Sequence, residues 1–170
     1  MARLAVPTTE RYFSTLTPAD ARVFDALDRE ALEEEKSRVA PWVAEKLTTP
    51  TLGVKRRLAI WETLGVRMRE GWPPDGTYFV DEYVNDLDTR DALEELAEGL
   101  PEGAGRGFRA VLGELDEVFE ALTEEDGGAS LAWRLDEAEG EAPLRAWWWH
   151  RAPADAPWAP EPSAEADPER

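Results

Sequence analysis

Apolar positions recur along most of this chain at helical spacing, and the interruptions of that recurrence mark the predicted elements. Residues 3–16 hold no sustained period and read as an irregular or extended lead-in. At Thr17-Pro18 a hydroxyl suited to capping precedes a proline suited to the first helical position. Val23, Phe24, Leu27, Ala31 and Leu32 then follow along one helix face, with Glu33-Glu34-Glu35-Lys36 as its solvated side. Pro41 breaks the pattern, because it lacks a backbone donor and crowds the preceding turn. Val39, Trp42, Val43 and Leu47 resume a stripe that ends at Thr48-Thr49-Pro50. Over 52–70, Val54, Leu58, Trp61, Gly65 and Met68 predict another helix, stopped by Gly71 and the turn Trp72-Pro73-Pro74-Asp75-Gly76.

Phe79, Val80, Tyr83, Val84 and Leu87 predict a short helix, after which Asp88 reads as the cap of a new one, with Asp91 at its third position. That second helix runs through Leu93, Leu96 and Ala97 and ends at Gly99 and Pro101. The strongest pattern covers 104–123, where Phe108, Val111, Leu112, Leu115, Val118, Phe119 and Leu122 fall in one inward arc before Gly127-Gly128. Beyond it the period shortens to two. Leu131, Trp133 and Leu135 alternate with polar or small residues, and 144–151, Leu-Arg-Ala-Trp-Trp-Trp-His-Arg, reads as a second strand of a long-looped hairpin. The expected fold is therefore α+β and predominantly α: a single domain over 1–151 with a C-terminal two-stranded antiparallel hairpin. Residues 152–170 read as a disordered acidic tail rich in Pro and Ala.

Composition narrows what such a domain can do. Of 170 residues, 42% are hydrophobic, including eight Trp, which suffices for a packed core. The 37 acids outnumber the 19 cations, for a net charge of -18. Nucleic-acid and anionic-membrane binding draw their affinity from cations, so both are disfavoured as direct partners. Absence of Cys excludes disulfides, thiol catalysis and thiolate metal sites. Only three apolar residues run together before Pro7, and no stretch approaches a membrane span, so a soluble cytoplasmic protein is expected. Sixteen of the 19 cations are Arg, a bias typical of bacterial genomes rich in G and C.

Motifs for particular chemistries fail on context. Gly105-Arg106-Gly107-Phe108-Arg109-Ala110 has the form of a dinucleotide fingerprint, but no strand precedes it and the surrounding charge would repel a pyrophosphate. Asp81, Glu82, Asn85, Asp86, Asp88 and Asp91 crowd oxygen ligands together, yet an EF-hand loop starting at Asp81 would have Asp86 where glycine is needed and Ala92 in place of glutamate. His150 stands without a second histidine or a neighbouring nucleophile and reads as a structural or rim residue. No catalytic residue, cofactor or metal is expected.

Charge distribution is more informative than its total. Residues 76–126 hold 16 acids and three Arg, a net of −13, whereas 51–70 carries +3. Asp116, Glu120 and Glu124 follow one another at four-residue spacing on one predicted helix, where like charges cost about 0.2–0.5 kcal/mol per pair. Pairing with the basic 52–70 helix would make this acidity structural. An outward face would instead suit a basic protein, with electrostatic steering raising association roughly 10–10³-fold. Trp147, Trp148 and Trp149 add a possible aromatic anchor, since Trp and Arg are enriched at binding hot spots.

At Asp81-Glu82-Tyr83-Val84-Asn85-Asp86-Leu87-Asp88-Thr89-Arg90-Asp91, and again at Leu115-Asp116-Glu117-Val118-Phe119 with Thr123 downstream, the chain resembles small acidic bacterial proteins of the toxin-immunity type. The resemblance covers about a third of the chain. It implies a cytoplasmic, non-enzymatic inhibitor that neutralises a basic toxin or nuclease by binding it. The candidate partner-binding residues are Asp81, Glu82, Asp86, Asp88, Glu114, Glu117, Glu120, Glu124, Trp147 and Trp149. Two other classes fit the same composition: a small enzyme or sugar-binding module with an acidic aromatic cleft, and a structural subunit of a larger assembly.

Overall fold

The computed structural model describes residues 6–73, 78–135 and 146–158, with 133–135 described by their backbone alone. Seven helices lie in these stretches: α1 (Thr8–Ser14), α2 (Pro18–Arg38), α3 (Pro41–Ala44), α4 (Val54–Glu70), α5 (Val80–Gly99), α6 (Glu102–Leu122) and α7 (Ala129–Leu135). Strand β1 (Glu124–Glu125) pairs antiparallel with β2 (Arg151–Ala152), Glu124 opposite Ala152 and Glu125 opposite Arg151. A 3-10 turn, Trp147–His150, leads into β2. The fold is thus predominantly α with a single two-stranded antiparallel sheet, as the sequence pattern indicates.

The core forms where the apolar stripes of α4, α5 and α6 meet. Val54, Leu58, Trp61, Leu64 and Met68 of α4 are buried, as are Phe108, Val111, Leu112, Leu115 and Phe119 of α6. Gly65 lets these two helices approach closely, because a Cβ there would stand 3.1 Å from Cγ1 of Val118. Trp61 and Phe119 then pack with ring centres 4.7 Å apart. On the far side α2 contributes Phe24, whose ring lies 5.8 Å from Phe108. Its start is the expected one, with the Thr17 hydroxyl accepting from the Asp20 amide at 3.1 Å. It ends at Arg38, three residues before Pro41 opens α3.

Five expectations need correction. The lead-in contains α1, whose first amides, on Thr8 and Thr9, donate to the Glu62 carboxylate at 2.5 and 3.0 Å. This cap comes from α4 and leaves no local signal. Helix α5 is continuous, and Asp88 is an exposed residue within it. Its start is Phe79, whose amide donates to Glu82 three residues on. Residues 131–135 belong to α7 and form no strand, because the Gly127-Gly128 turn, with φ of 65° and 86°, opens a helix whose Ser130 amide is held by Asp126. The 147–150 run is a 3-10 turn, and the strands that pair are the short β1 and β2. Finally, 152–158 belong to the fold. Ala152 is buried in β2, and the Trp158 ring lies 4.8 Å from Tyr83 and 5.8 Å from Trp72. Residues 136–143 and 159–170, assigned to the linker and tail, lie outside the described residues.

Candidate functional site

Helix α6 is amphipathic, and its acids divide by depth. Asp116 lies on the flank facing α5, where Arg90 meets it in a two-pronged pair. Nε and Nη2 of Arg90 each donate to one carboxylate oxygen at 2.8 Å. The guanidinium is 4% exposed, donates also to Glu94 at 2.8 Å, and lies 4.0 Å from the centre of the Trp148 ring. Trp61 completes the group by donating its indole N–H to Asp116 at 3.0 Å. Burial works against the Arg90 charge, but the hydrogen bonds and charges of Asp116 and Glu94 outweigh it and hold its pKa above the usual guanidinium value. This network replaces the like-charge repulsion expected of Asp116 with a buried attraction.

Asp91, one residue on, accepts from the indole nitrogens of Trp148 at 2.8 Å and of Trp149 at 2.9 Å. Both rings are therefore buried, Trp149 being 2% exposed, and the alternation expected of a strand is absent. Trp147 points away and remains 41% exposed, its ring centre 6.1 Å from Phe119. A second basic residue serves the end of α6. Arg151 donates to the carbonyls of Glu120 and Thr123 at 2.9 and 2.8 Å and to the Thr123 hydroxyl at 2.9 Å. Its positive charge lies where the helix dipole is negative, which offsets the unfavourable Glu124 and Glu125.

The ten candidate residues separate accordingly. Glu117, Glu120 and Glu124 are exposed along the outer edge of α6 and β1, and no described residue donates to their carboxylates. Trp147 stands beside them through Phe119. Glu114 is exposed but pairs with Arg11 of α1 at 2.6 Å. Asp81, Glu82 and Asp88 are exposed on α5, Glu82 being spent on the Phe79 amide. Asp86 and Trp149 are corrections. Both are buried, Asp86 accepting from the Tyr78 hydroxyl at 2.8 Å and Trp149 bonded to Asp91, so neither presents a surface to a partner.

Asp86 is a titrating group of the interior. Burial pushes its carboxyl up to about 6, an effect that the Tyr78 hydrogen bond and Arg67 moderate and Glu82 reinforces. Tyr78 itself is pushed above the ordinary phenol range by burial and by that carboxylate.

Internal pairing with the basic helix does not explain the acidity. Among the described residues, the ion pair made by α4 joins Lys55 to Glu10 of α1 at 2.7 Å and involves none of the 81–126 acids. The neutralising cations are Arg90, Arg11 and Arg151, none of them in the 52–70 segment. Arg90 and its partner Asp116 were invisible as a site from sequence, although an Arg inside an apolar helix face is the signal that could have flagged them. Gly105 and Gly107 lie inside α6 rather than in a phosphate loop, and among the described residues no three His, Asp or Glu side chains are grouped to hold a metal ion. No helix among the described residues is long and apolar enough to cross a membrane. Comparison with family models, with curated proteins and with solved structures finds no match to this chain.

Proposed function

We propose that this protein is an acidic binding protein that engages a basic protein partner through the outer edge of α6 and β1. The observation that carries the reading is the exposed Trp147 ring beside Glu117, Glu120 and Glu124, carboxylates that no described residue neutralises. An aromatic side chain able to enter a pocket, flanked by charge, is the composition of a binding hot spot with a steering rim. The two effects divide the work. Trp147 would desolvate on contact and slow dissociation, whereas the acids would act over several ångströms and speed encounter. With the resemblance to toxin-immunity proteins, the partner class is a basic toxin or nuclease, neutralised by occlusion.

Affinity capture from cells of the source organism, with three baits in parallel, tests this. The wild-type chain is expected to retain a basic protein that E117K/E120K/E124K and Trp147→Ala both fail to retain. Equal retention by all three baits would remove this surface, and retention of no stoichiometric protein by the wild-type chain would remove the class. An enzyme or sugar-binding module centred on the Trp cluster gains no support, because the carboxylate that meets Trp148 and Trp149, Asp91, is taken up by their indole N–H groups.

A further inference from the structure

The last turns of α4 lie beside the first turns of α5. The Arg67 guanidinium carbon is 5.4 Å from the centre of the Tyr78 ring, and the Tyr78 hydroxyl donates to Asp86. Between the two helices runs an open cleft of about 440 Å³, lined by Arg56, Thr63 and Arg67 of α4 and by Glu82, Asn85 and Asp86 of α5. That volume is within the range of small-molecule sites, and the polar groups converge on it from two rigid helices. None of these residues belongs to the acidic edge of α6.

The charges in the cleft are ordered along its length. Arg56 precedes Arg67 by three helical turns, about 16 Å along the axis of α4. Arg67 shares its end with Asp86 and Glu82, while Arg56 is exposed and makes no ion pair with a described residue. Thr63 and Asn85 supply a hydroxyl and an amide between the ends. Asp86 is 8% exposed, with Tyr78 bonded to one oxygen, so its carboxylate is held in place and largely stripped of water. A simple cation would meet Arg67 beside the same carboxylates. A simple anion would meet Asp86 and Glu82 and the field of a chain with net charge -18. A molecule bearing opposite charges at its two ends is attracted at both.

We infer that the α4–α5 cleft is a binding site for a short zwitterion of dipeptide size, its carboxylate on Arg56 and its ammonium at the Asp86 and Glu82 end. The site is independent of the acidic edge, so a protein partner and this ligand can be bound together. Isothermal titration calorimetry with glycylglycine, N-acetylglycylglycine and glycylglycinamide tests the assignment. Glycylglycine is expected to give saturable heat, and blocking either end to weaken binding at least about tenfold, or 1.4 kcal/mol. In Arg56→Ala the distinction between glycylglycine and its amide should vanish, and in Asp86→Asn that between glycylglycine and its acetylated form. Thermal melts verify that each variant is folded. Should Asp86→Asn melt early, Arg56→Ala decides alone, since Arg56 is exposed and supports no contact in the core. No saturable heat from glycylglycine, or equal binding of the three probes, would overturn the inference.

Discussion

Replacing Arg90 with methionine should be the most damaging single change on the α5–α6 seam. The guanidinium donates three hydrogen bonds of 2.8 Å and stacks 4.0 Å from Trp148. Methionine keeps the aliphatic volume but leaves Asp116, whose side chain is 17% exposed, with the Trp61 indole as its remaining donor. Glu94 is 46% exposed and can return to water, so its share is about 0–1 kcal/mol. Stranding Asp116 is the larger cost, about 3–5 kcal/mol for a buried pair broken on one side. Against a total stability of about 5–15 kcal/mol this is a large fraction. The melting temperature should fall by roughly 6–20 °C at about 2–4 °C per kcal/mol. Urea denaturation followed by circular dichroism gives the free energy. Arg90→Met combined with Asp116→Leu should recover most of the loss, because neither charge is then stranded. A cost below 1 kcal/mol for the single variant, or simple additivity in the double, would refute the reasoning.

Asp86→Asn should stabilise the protein at neutral pH. The folded-state value of about 6 lies above the ordinary 3.8, so Asp86 favours folding below pH 4 and loses that contribution as pH rises through 6. Two units correspond to about 3 kcal/mol, so the variant should exceed the wild-type chain by up to that amount at pH 7 and match it near pH 4; a difference independent of pH would contradict the burial argument. Asp91→Ala leaves the indole N–H groups of Trp148 and Trp149 without their acceptor and should cost about 2–4 kcal/mol in urea denaturation, more than a surface acid would. Trp158→Ala should cost about 2 kcal/mol, since its half-buried ring packs on Tyr83, Tyr78 and Trp72, and should quench or shift the tryptophan emission; an unchanged melt would detach 152–158 from the fold.

The helices legible in the sequence are those whose signals are local. The Thr17-Pro18 start of α2, the stripe of α4 and the apolar arc of α6 depend on residues within a few turns, and the structure keeps them. What escaped was held from a distance. Helix α1 is capped by Glu62, 54 residues away from Thr8, and nothing near Thr8 announces it. Helix α5 looked like two pieces because Asp86, Thr89 and Arg90 occupy its buried face, and a reading of apolar period treats polar residues as surface. The Trp run was assigned alternating faces, yet Trp148 and Trp149 turn the same way to reach Asp91, 57 and 58 residues earlier. The candidate surface was half legible. Spacing placed Glu117, Glu120 and Glu124 outside, but the same spacing could not show that Arg90 would draw Asp116 inward or that Arg151 would cap their helix.

The association rate constant with the captured basic partner, measured by surface plasmon resonance at several salt concentrations, tests the proposed binding surface most directly. The wild-type chain is expected to associate at least about tenfold faster than E117K/E120K/E124K at low salt, the gap closing as salt screens the charges. Equal rates at low salt for the two chains would contradict a steering role for the acidic edge of α6.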